Sequence, residues 1–194
     1  KIRLAALLAC MALSAPLAAQ QFDTISFGVD GGYPPFDVLA PSGEITGFDI
    51  DIANALCTQL KAKCVFVKQP FESMIAALNA HKFDAIIASL NITDERKKEV
   101  DFTDRYYRSA AQLVARKGSP LMPDVASLKG KTVGVQTGST HEAFAKANWA
   151  NHGVKIVGYA NQDNVYLDLL SGRIDAALQD NIQAATGFID TPRG

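Results

Sequence analysis

The chain has 194 residues, of which 48% are hydrophobic and 20% are charged, and its formal net charge is -1 at pH 7. This balance is typical of a globular protein with one large or two small domains. The sequence has neither a block of basic residues nor a basic stripe interleaved with aromatic residues. It therefore excludes a nucleic-acid-binding surface and a polybasic membrane patch.

Residues 1–19 have the three parts of a secretory signal peptide. Lys1 and Arg3 precede an apolar run, and small residues follow as far as Ala19. The run is too short to span a bilayer, which takes about 20 apolar residues. We therefore predict cleavage near Ala19 and a periplasmic mature protein. A lipid anchor at Cys10 is the alternative, although few apolar residues precede that cysteine.

After this leader, short β-branched or apolar runs alternate with segments that carry apolar residues at helical spacing. The runs predict strands at residues 25–29, 64–68, 85–88, 112–115, 132–136, 155–158 and 176–179. The other segments predict helices at residues 49–60, 71–80, 141–149 and 163–170. Because this alternation is typical of βαβ units, the sequence predicts an α/β fold with largely parallel sheets.

Two parts of the chain follow the same plan. Residues 78–87 and 169–178 both run from a helix end through a basic residue to Asp-Ala and a buried strand. Generic chemistry of αβ loops is one explanation for this short repeat. The other, which we adopt, is a pair of similar lobes at residues 20–109 and 110–194.

Cys57 and Cys64 are the cysteines that remain in the mature chain. An even pair in an oxidising compartment favours a disulfide, which would stabilise the fold by about 2 kcal/mol in the chain-entropy model. His81, His141 and His152 lack the spacing of zinc ligands. We therefore expect no metal and no cofactor.

Ser89 and Asp180 stand at equivalent ends of the two repeated strands. Ligands in open α/β sheets bind beyond the carboxyl ends of strands, so both residues are candidate site residues. Ser139 and Thr140 follow Gly138 at the start of a predicted helix. The N-terminus of that helix suits an anion, although a simple cap by Ser139 or Thr140 explains the same residues.

Arg96 is a cation in an unfavourable place. Thr93 is a predicted N-cap, and the helix dipole disfavours a cation in the turn that follows it. One interpretation is an exposed Arg96 that pairs with Asp94 or Glu99. The other is capture of a carboxylate by the planar guanidinium beside the polar loop at residues 89–91. The residues alone leave both interpretations open.

Asp30 ends a predicted strand, and the loop after it carries Tyr33 next to two prolines. Phe71 follows Pro70 at a predicted helix start. Two aromatic walls with a carboxylate nearby suit a cationic side chain, through cation–π contact and ion pairing. Packing in the core is the alternative explanation for each ring.

An ordered set of motifs resembles the periplasmic polar amino-acid-binding proteins of ABC importers (family 3 solute-binding proteins), and most closely their lysine/arginine/ornithine- and histidine-binding branch. The motifs are GFDID at 47–51, ITDER at 92–96, SLKGK at 127–131, GST at 138–140, YANQD at 159–163 and ALQD at 177–180.

The resemblance implies a two-lobed periplasmic-binding-protein fold of type II, in which each lobe is a mostly parallel sheet flanked by helices. It also implies the disulfide between Cys57 and Cys64. Family members continue with a second hinge strand and a helix that returns to lobe one. We therefore expect that this C-terminal return segment is missing here and that lobe two is incomplete.

The resemblance gives each residue at the backbone end of an amino-acid ligand a role. Arg96 binds the α-carboxylate, together with backbone N–H groups of Asn91 and Thr140. Asp180 pairs with the α-ammonium group, and Ser89 accepts a hydrogen bond from the same group.

At the other end of the ligand, Tyr33 and Phe71 sandwich its side chain and Asp30 meets its distal positive charge. Gln136 and His141 line this end and depart from the usual leucine and glutamine of the branch. The preference among arginine, lysine, ornithine and histidine therefore stays open, and a larger opine-type ligand is an alternative.

The resemblance implies a monomer that captures a cationic amino acid by hinge closure and delivers it to a membrane ABC permease driven by an attached ATPase. Two alternatives are an enzyme on the same scaffold, such as a periplasmic dehydratase or a lytic transglycosylase domain, and the sensor domain of a receptor. The acids of the inferred site have ion-pairing roles, and no spare Glu lies beside them as a general acid or base. We therefore expect no catalytic residue.

Overall fold

The computed structural model describes residues 23–193. The predicted signal peptide at residues 1–19, with Cys10, lies outside the described residues. Within residues 23–193, no helix is long and apolar enough to cross a membrane.

The first sheet has three parallel strands in the order β5-β1-β6. The central strand β1 (Thr24–Val29) pairs along its whole length with β5 (Lys63–Lys68) and over two residues with β6 (Ala85–Ile86). All three strands were predicted, but β6 is shorter than the predicted run of residues 85–88.

Helices α1 (Phe48–Leu60) and α2 (Met74–Asn79) connect the strands of the first sheet, and α2 is entered through a 3-10 turn at Phe71–Ser73. Gly47 precedes α1 with a φ of 127°, and a Cβ there would lie 2.4 Å from the carbonyl oxygen of Phe36. Only glycine fits such a close backbone approach. The buried side of α1 then packs on β1 through an apolar cluster.

A disulfide joins Cys57 in α1 to Cys64 in β5, with the two Cα atoms 5.8 Å apart. This separation is within the range that a disulfide accepts. The predicted disulfide is therefore confirmed, and it fixes the end of α1 against the edge strand of the first sheet.

A small antiparallel sheet lies between β1 and α1. It consists of β2 (Gly32–Tyr33), β3 (Asp37–Leu39) and β4 (Ile45–Thr46). The sequence did not predict it, because strands of two or three residues show no measurable periodicity. It holds the loop that carries Tyr33.

The second sheet has the order β7-β10-β8-β9. Its strands are β7 (Ala111–Ala115), β8 (Thr132–Gln136), β9 (Lys155–Tyr159) and β10 (Ala176–Asp180). Strands β10, β8 and β9 are parallel as predicted, whereas β7 pairs antiparallel with β10. Residues 101–110 link the two sheets without regular secondary structure.

Four helices accompany the second sheet: α3 (Val125–Leu128), α4 (Thr140–Asn148), α5 (Gln162–Ser171) and α6 (Asn181–Ala184), the last followed by a π-helical turn at Ala185–Ile189. Successive residues of β10 pack in different apolar clusters, Ala177 against α5 and Leu178 against Trp149. Because neighbouring side chains of a strand point to opposite faces, this sheet is covered on both faces. Its strand ends are then the accessible part.

Candidate functional site

The strand ends of both sheets surround one cleft. Nine of the ten predicted ligand-binding residues line it, namely Asp30, Tyr33, Phe71, Ser89, Asn91, Gln136, Thr140, His141 and Asp180. The tenth, Arg96, is hydrogen-bonded to Asn91 at the rim of the cleft. Ala88, Ser139 and Gln162 complete the lining. The structure thus brings the predicted residues together, although their roles toward a ligand stay predictions.

Asp180, the last residue of β10, is held from both halves of the chain. Its Oδ2 accepts a hydrogen bond of 2.7 Å from the Tyr33 hydroxyl, and its Oδ1 lies 3.6 Å from Nε2 of His141. Burial raises the pKa of the Asp180 carboxyl, but His141 and Tyr33 together outweigh burial, so the pKa lies below its usual value. Asp180 is therefore a buried, ionised carboxylate at neutral pH.

Asp30, at the end of β1, is buried at the opposite side of the cleft. Its Oδ2 accepts a long hydrogen bond of 3.4 Å from Nε2 of Gln136. Burial raises the pKa of the Asp30 carboxyl, and the Gln136 bond offsets this only in part. A cation placed beside Asp30 would favour its ionised form, which is what the predicted role requires.

Arg96 contacts backbone carbonyls on both sides of the cleft. Its Nη1 donates to the carbonyl oxygen of Asn91 at 2.7 Å and its Nη2 to that of Gly138 at 2.9 Å, while Cζ lies 5.7 Å from the ring centroid of Phe71. Burial lowers the pKa of the guanidinium from its usual value. A guanidinium has five N–H donors, so these two bonds leave it the capacity to bind a carboxylate.

The local structure around Arg96 differs from the predicted α-helix. Thr93 caps as expected, since its Oγ1 accepts from the N–H of Arg96 at 3.2 Å. The segment that follows is a 3-10 helix at Arg96–Lys98, and Asp94 faces Lys97 instead of Arg96. Arg96 instead lies at the rim of the cleft, where its guanidinium bonds to Asn91 and Gly138.

The start of α4 forms the opposite wall. Ser139 is its N-cap and its side chain accepts from the N–H of Glu142 at 3.1 Å, as the interpretation of a simple cap predicted. Thr140 Oγ1 accepts from Nδ2 of Asn91 at 3.0 Å. Gly138 has a φ of 77°, and a Cβ there would lie 2.9 Å from the Cα of Glu72. Glycine at 138 therefore lets the two halves approach each other.

Two buried carboxylates lie behind the cleft and were not singled out from the sequence. Asp49 Oδ2 accepts from the N–H and the hydroxyl of Ser89, at 2.7 and 3.0 Å, and Asp49 Oδ1 accepts from the Tyr106 hydroxyl at 3.0 Å. Asp37 Oδ1 accepts from the N–H groups of Gly31 and Tyr33, both at 3.1 Å. Each carboxylate thus holds a loop that contributes to the cleft.

Asp37 has no polar partner for its second oxygen among the residues that the structure describes. Burial, with the nearby Asp30 and Asp49 carboxylates, raises the pKa of Asp37 to about 7. Asp37 is therefore protonated far more readily than an ordinary aspartate.

Gln162 is a lining residue that the site prediction missed. It is the first residue of α5, it is 1% exposed, and its Nε2 has no hydrogen-bond partner within residues 23–193. Its position shortly after the end of β9 could have indicated a site residue, because strand ends in both halves face the cleft.

Two α/β halves whose strand ends share a cleft define a type II periplasmic binding protein, as predicted. The chain belongs to the bacterial extracellular solute-binding proteins, family 3, and the family's profile matches residues 25–186.

The chain is similar to curated relatives of this family. It is 48% identical over 172 residues to the lysine/arginine/ornithine-binding periplasmic protein of Escherichia coli K12, covering 89% of this chain and 66% of the relative. It is 42% identical over 194 residues to the L-arginine-binding protein of Pseudomonas aeruginosa, covering 100% of this chain and 74% of the relative. The chain thus spans about two thirds of the length of the curated relatives it matches.

Solved structures have the same fold. An ancestral arginine-binding protein bound to arginine superposes with a TM-score of 0.81 at 39% identity, covering 84% of this chain and 73% of that one. An ancestral amino acid-binding protein described as a precursor of cyclohexadienyl dehydratase gives a TM-score of 0.79 at 36% identity, covering 84% and 72%.

Proposed function

We propose that the protein captures a free cationic amino acid in the periplasm and delivers it to a membrane ABC permease. Two lobes, at residues 20–109 and 110–194, would close on the ligand. The observation that carries this proposal is that nine residues with predicted ligand roles line one cleft between the two sheets. The relatives are named as binding proteins for arginine, lysine, ornithine or histidine, and these names support the same ligand class.

The backbone end of the ligand is assigned to Arg96 and Asp180. Arg96 already donates to backbone carbonyls of both halves, and a guanidinium presents further donors in the plane that a carboxylate matches. The Asp180 carboxylate is ionised and buried, so an α-ammonium group beside it would complete a charge-assisted hydrogen bond. Ser89 offers a hydroxyl oxygen in the same cleft.

The side-chain end is assigned to Asp30 with the rings of Tyr33 and Phe71. The raised pKa of Asp30 shows that its ionised form lacks sufficient compensation in this structure. A guanidinium, ammonium or imidazolium group placed there would supply that compensation and gain cation–π contact with the rings. Gln136 and His141 line the same cleft and would tune the length of side chain that fits.

Closure is expected to be coupled to ligand occupancy. Four hydrogen bonds already join cleft residues of the two halves: Tyr33 to Asp180, Gln136 to Asp30, Asn91 to Thr140 and Arg96 to Gly138. A ligand that touches both halves binds the closed form better than the open form and so shifts the population toward it. The amide donor of Gln162, which has no hydrogen-bond partner within residues 23–193, suits a ligand acceptor in that closed form.

An enzyme on the same scaffold is the alternative function, and the similarity to a dehydratase precursor is the observation that favours it. A general acid or base must reach the proton that it transfers and have a pKa near the working pH. Asp180 and Asp30 line the cleft but are bonded to Tyr33 and Gln136 respectively. We assign both to ion pairing with the ligand and propose no catalytic residue.

A thermal-shift and calorimetry panel of free amino acids tests the proposal. The unmodified protein is expected to bind at least one of arginine, lysine, ornithine and histidine, and the variant Arg96→Ala to lose that binding. Lys97→Ala is the matched control, because Lys97 is the exposed neighbour of Arg96 in the same 3-10 helix. The proposal fails if the unmodified protein binds no amino acid.

A further inference from the structure

The strongest unassigned group behind the cleft is the Asp49 carboxylate. Asp49 lies in the first turn of α1 and is 0% exposed. Its two oxygens accept three hydrogen bonds. The donors belong to two distant segments, Ser89 three residues after β6 and Tyr106 in the link between the sheets. A buried carboxylate persists only when such donors satisfy it.

Ser89, which donates two of these bonds, has a left-handed backbone with a φ of 52°. This conformation is unfavourable for a residue with a side chain. The N–H of Ser89 donates to Asp49 Oδ2 at 2.7 Å, a short charge-assisted bond that favours this conformation over the alternatives. The strained residue and the buried carboxylate therefore form one unit.

The backbone of Ser89 in turn directs the residues that follow it. Two residues later the carbonyl oxygen of Asn91 accepts from Nη1 of Arg96 at 2.7 Å. A change of φ at Ser89 would rotate this carbonyl away from the guanidinium. The Ser89 hydroxyl, which donates to Asp49 at 3.0 Å, also keeps its lone pairs directed away from Asp49.

We propose that Asp49 is a positioning residue of the ligand site: its carboxylate holds Ser89 in the left-handed conformation that orients the Ser89 hydroxyl and, through Asn91, the Arg96 guanidinium. The inference rests on the proposed function, because Ser89 and Arg96 are assigned there to the backbone end of the ligand. It adds Asp49 to the proposed site as a residue that acts without touching the ligand.

A double-mutant cycle with glycine at position 89 tests the mechanism. Glycine adopts positive φ without cost, so Ser89→Gly makes the Asp49 clamp unnecessary for the backbone. Asp49→Ala in the Ser89 background is expected to weaken binding of the preferred amino acid roughly tenfold. In the Ser89→Gly background the same change should cost less than about threefold. Equal losses in both backgrounds would overturn the proposal.

Tyr106→Phe is the matched control for the loss of a hydrogen bond to the same carboxylate. It removes the bond to Oδ1 and keeps both bonds from Ser89, so affinity should stay within about twofold of the unmodified protein. Asp49→Asn, which retains one acceptor oxygen, should lie between the unmodified protein and Asp49→Ala. A loss with Tyr106→Phe as large as that with Asp49→Ala would mean that Asp49 acts only through general stability.

The exchange rate of the Ser89 amide, measured by NMR without ligand, separates this inference from the proposed function. Asp49→Ala is expected to accelerate that exchange by at least about tenfold, and Tyr106→Phe to leave it unchanged. Binding of no amino acid by the unmodified protein would contradict the proposed function. Unchanged Ser89 exchange in Asp49→Ala would contradict the positioning role, whatever the protein binds.

Discussion

The buried carboxylates at and behind the cleft differ between the two halves in how the fold compensates their charge. In the first half, burial raises the pKa of Asp30, Asp37 and Asp49. In the second half, the pKa of Asp180 is lowered, because His141 and Tyr33 together outweigh burial. One side of the cleft therefore holds a carboxylate stabilised by the protein itself, and the other holds Asp30, which a bound cation would stabilise.

This difference indicates separate tasks for the two ends of the cleft. In our proposal Asp180 binds the ammonium group that all free amino acids share. Asp30, whose contact with Gln136 is long, gains most from a ligand whose side chain carries a positive charge. The following variants test that division.

The largest expected effect is on Asp180. Asp180→Asn removes the buried charge opposite the α-ammonium group, and losing one member of a buried charge pair costs about 2–5 kcal/mol. Calorimetry should therefore show a loss of affinity of about a hundredfold, for every amino acid that binds. Asp190→Asn, a change at an exposed position of the same half, is the control and should bind normally. A loss confined to cationic ligands would contradict the assignment.

A second effect, on stability, is expected at Asp37. A carboxyl whose pKa is raised by folding stabilises the protein fully below its unfolded pKa, and this contribution is lost as the pH rises through the folded value of about 7. Asp37→Asn does not titrate and keeps an acceptor for Gly31 and Tyr33. Relative to the unmodified protein it should therefore gain roughly 2–3 kcal/mol between pH 5 and pH 8.

Urea unfolding at the two pH values measures this difference. Because the comparison is between two proteins at the same pH, other groups that titrate in both of them cancel to first order. Parallel stabilities of the variant and the unmodified protein from pH 5 to pH 8 would show that Asp37 carries no excess proton in the folded state.

The smallest expected effect concerns the approach of the two halves at Gly138. Gly138→Ala places a Cβ 2.9 Å from the Cα of Glu72 in the first half, and ligand affinity should fall about tenfold because the closed form is disfavoured. Gly130→Ala is a matched control, since Gly130 has a similar φ of 76° but no atom of the described residues within 4 Å of the added Cβ. Both variants should lose similar stability, and only Gly138→Ala should lose affinity.

The regular elements of the fold were predictable from the sequence. The strands predicted at residues 25–29 and 132–136 coincide with β1 and β8 to within one residue, because continuous β-branched runs distinguish buried strands. The antiparallel pairing of β7 with β10 was not predicted, since the residue pattern of one strand does not indicate whether its neighbour runs parallel or antiparallel to it. The strands β2, β3 and β4 were too short to predict.

The place of a residue in the candidate site was predictable where it stands at a strand end, as Asp180 does. The position of Arg96 left an exposed ion pair equally open, and only the family resemblance assigned it to the site. The tasks of Asp37 and Asp49 were not predictable, because an acidic residue in a loop or a first helical turn is usually exposed. Their burial and their contacts with Tyr33 and Ser89 depend on tertiary packing that no local pattern encodes.

The central claim, that Asp30 and its aromatic neighbours select a cationic side chain, is tested most directly with a pair of ligands that differ chiefly in charge. Calorimetry should compare L-arginine with L-citrulline, a neutral ligand of nearly the same shape, on the unmodified protein and on Asp30→Asn. We expect the unmodified protein to prefer arginine by at least about thirtyfold, and Asp30→Asn to lose most of that preference. Equal affinity of the unmodified protein for the two ligands would contradict the account.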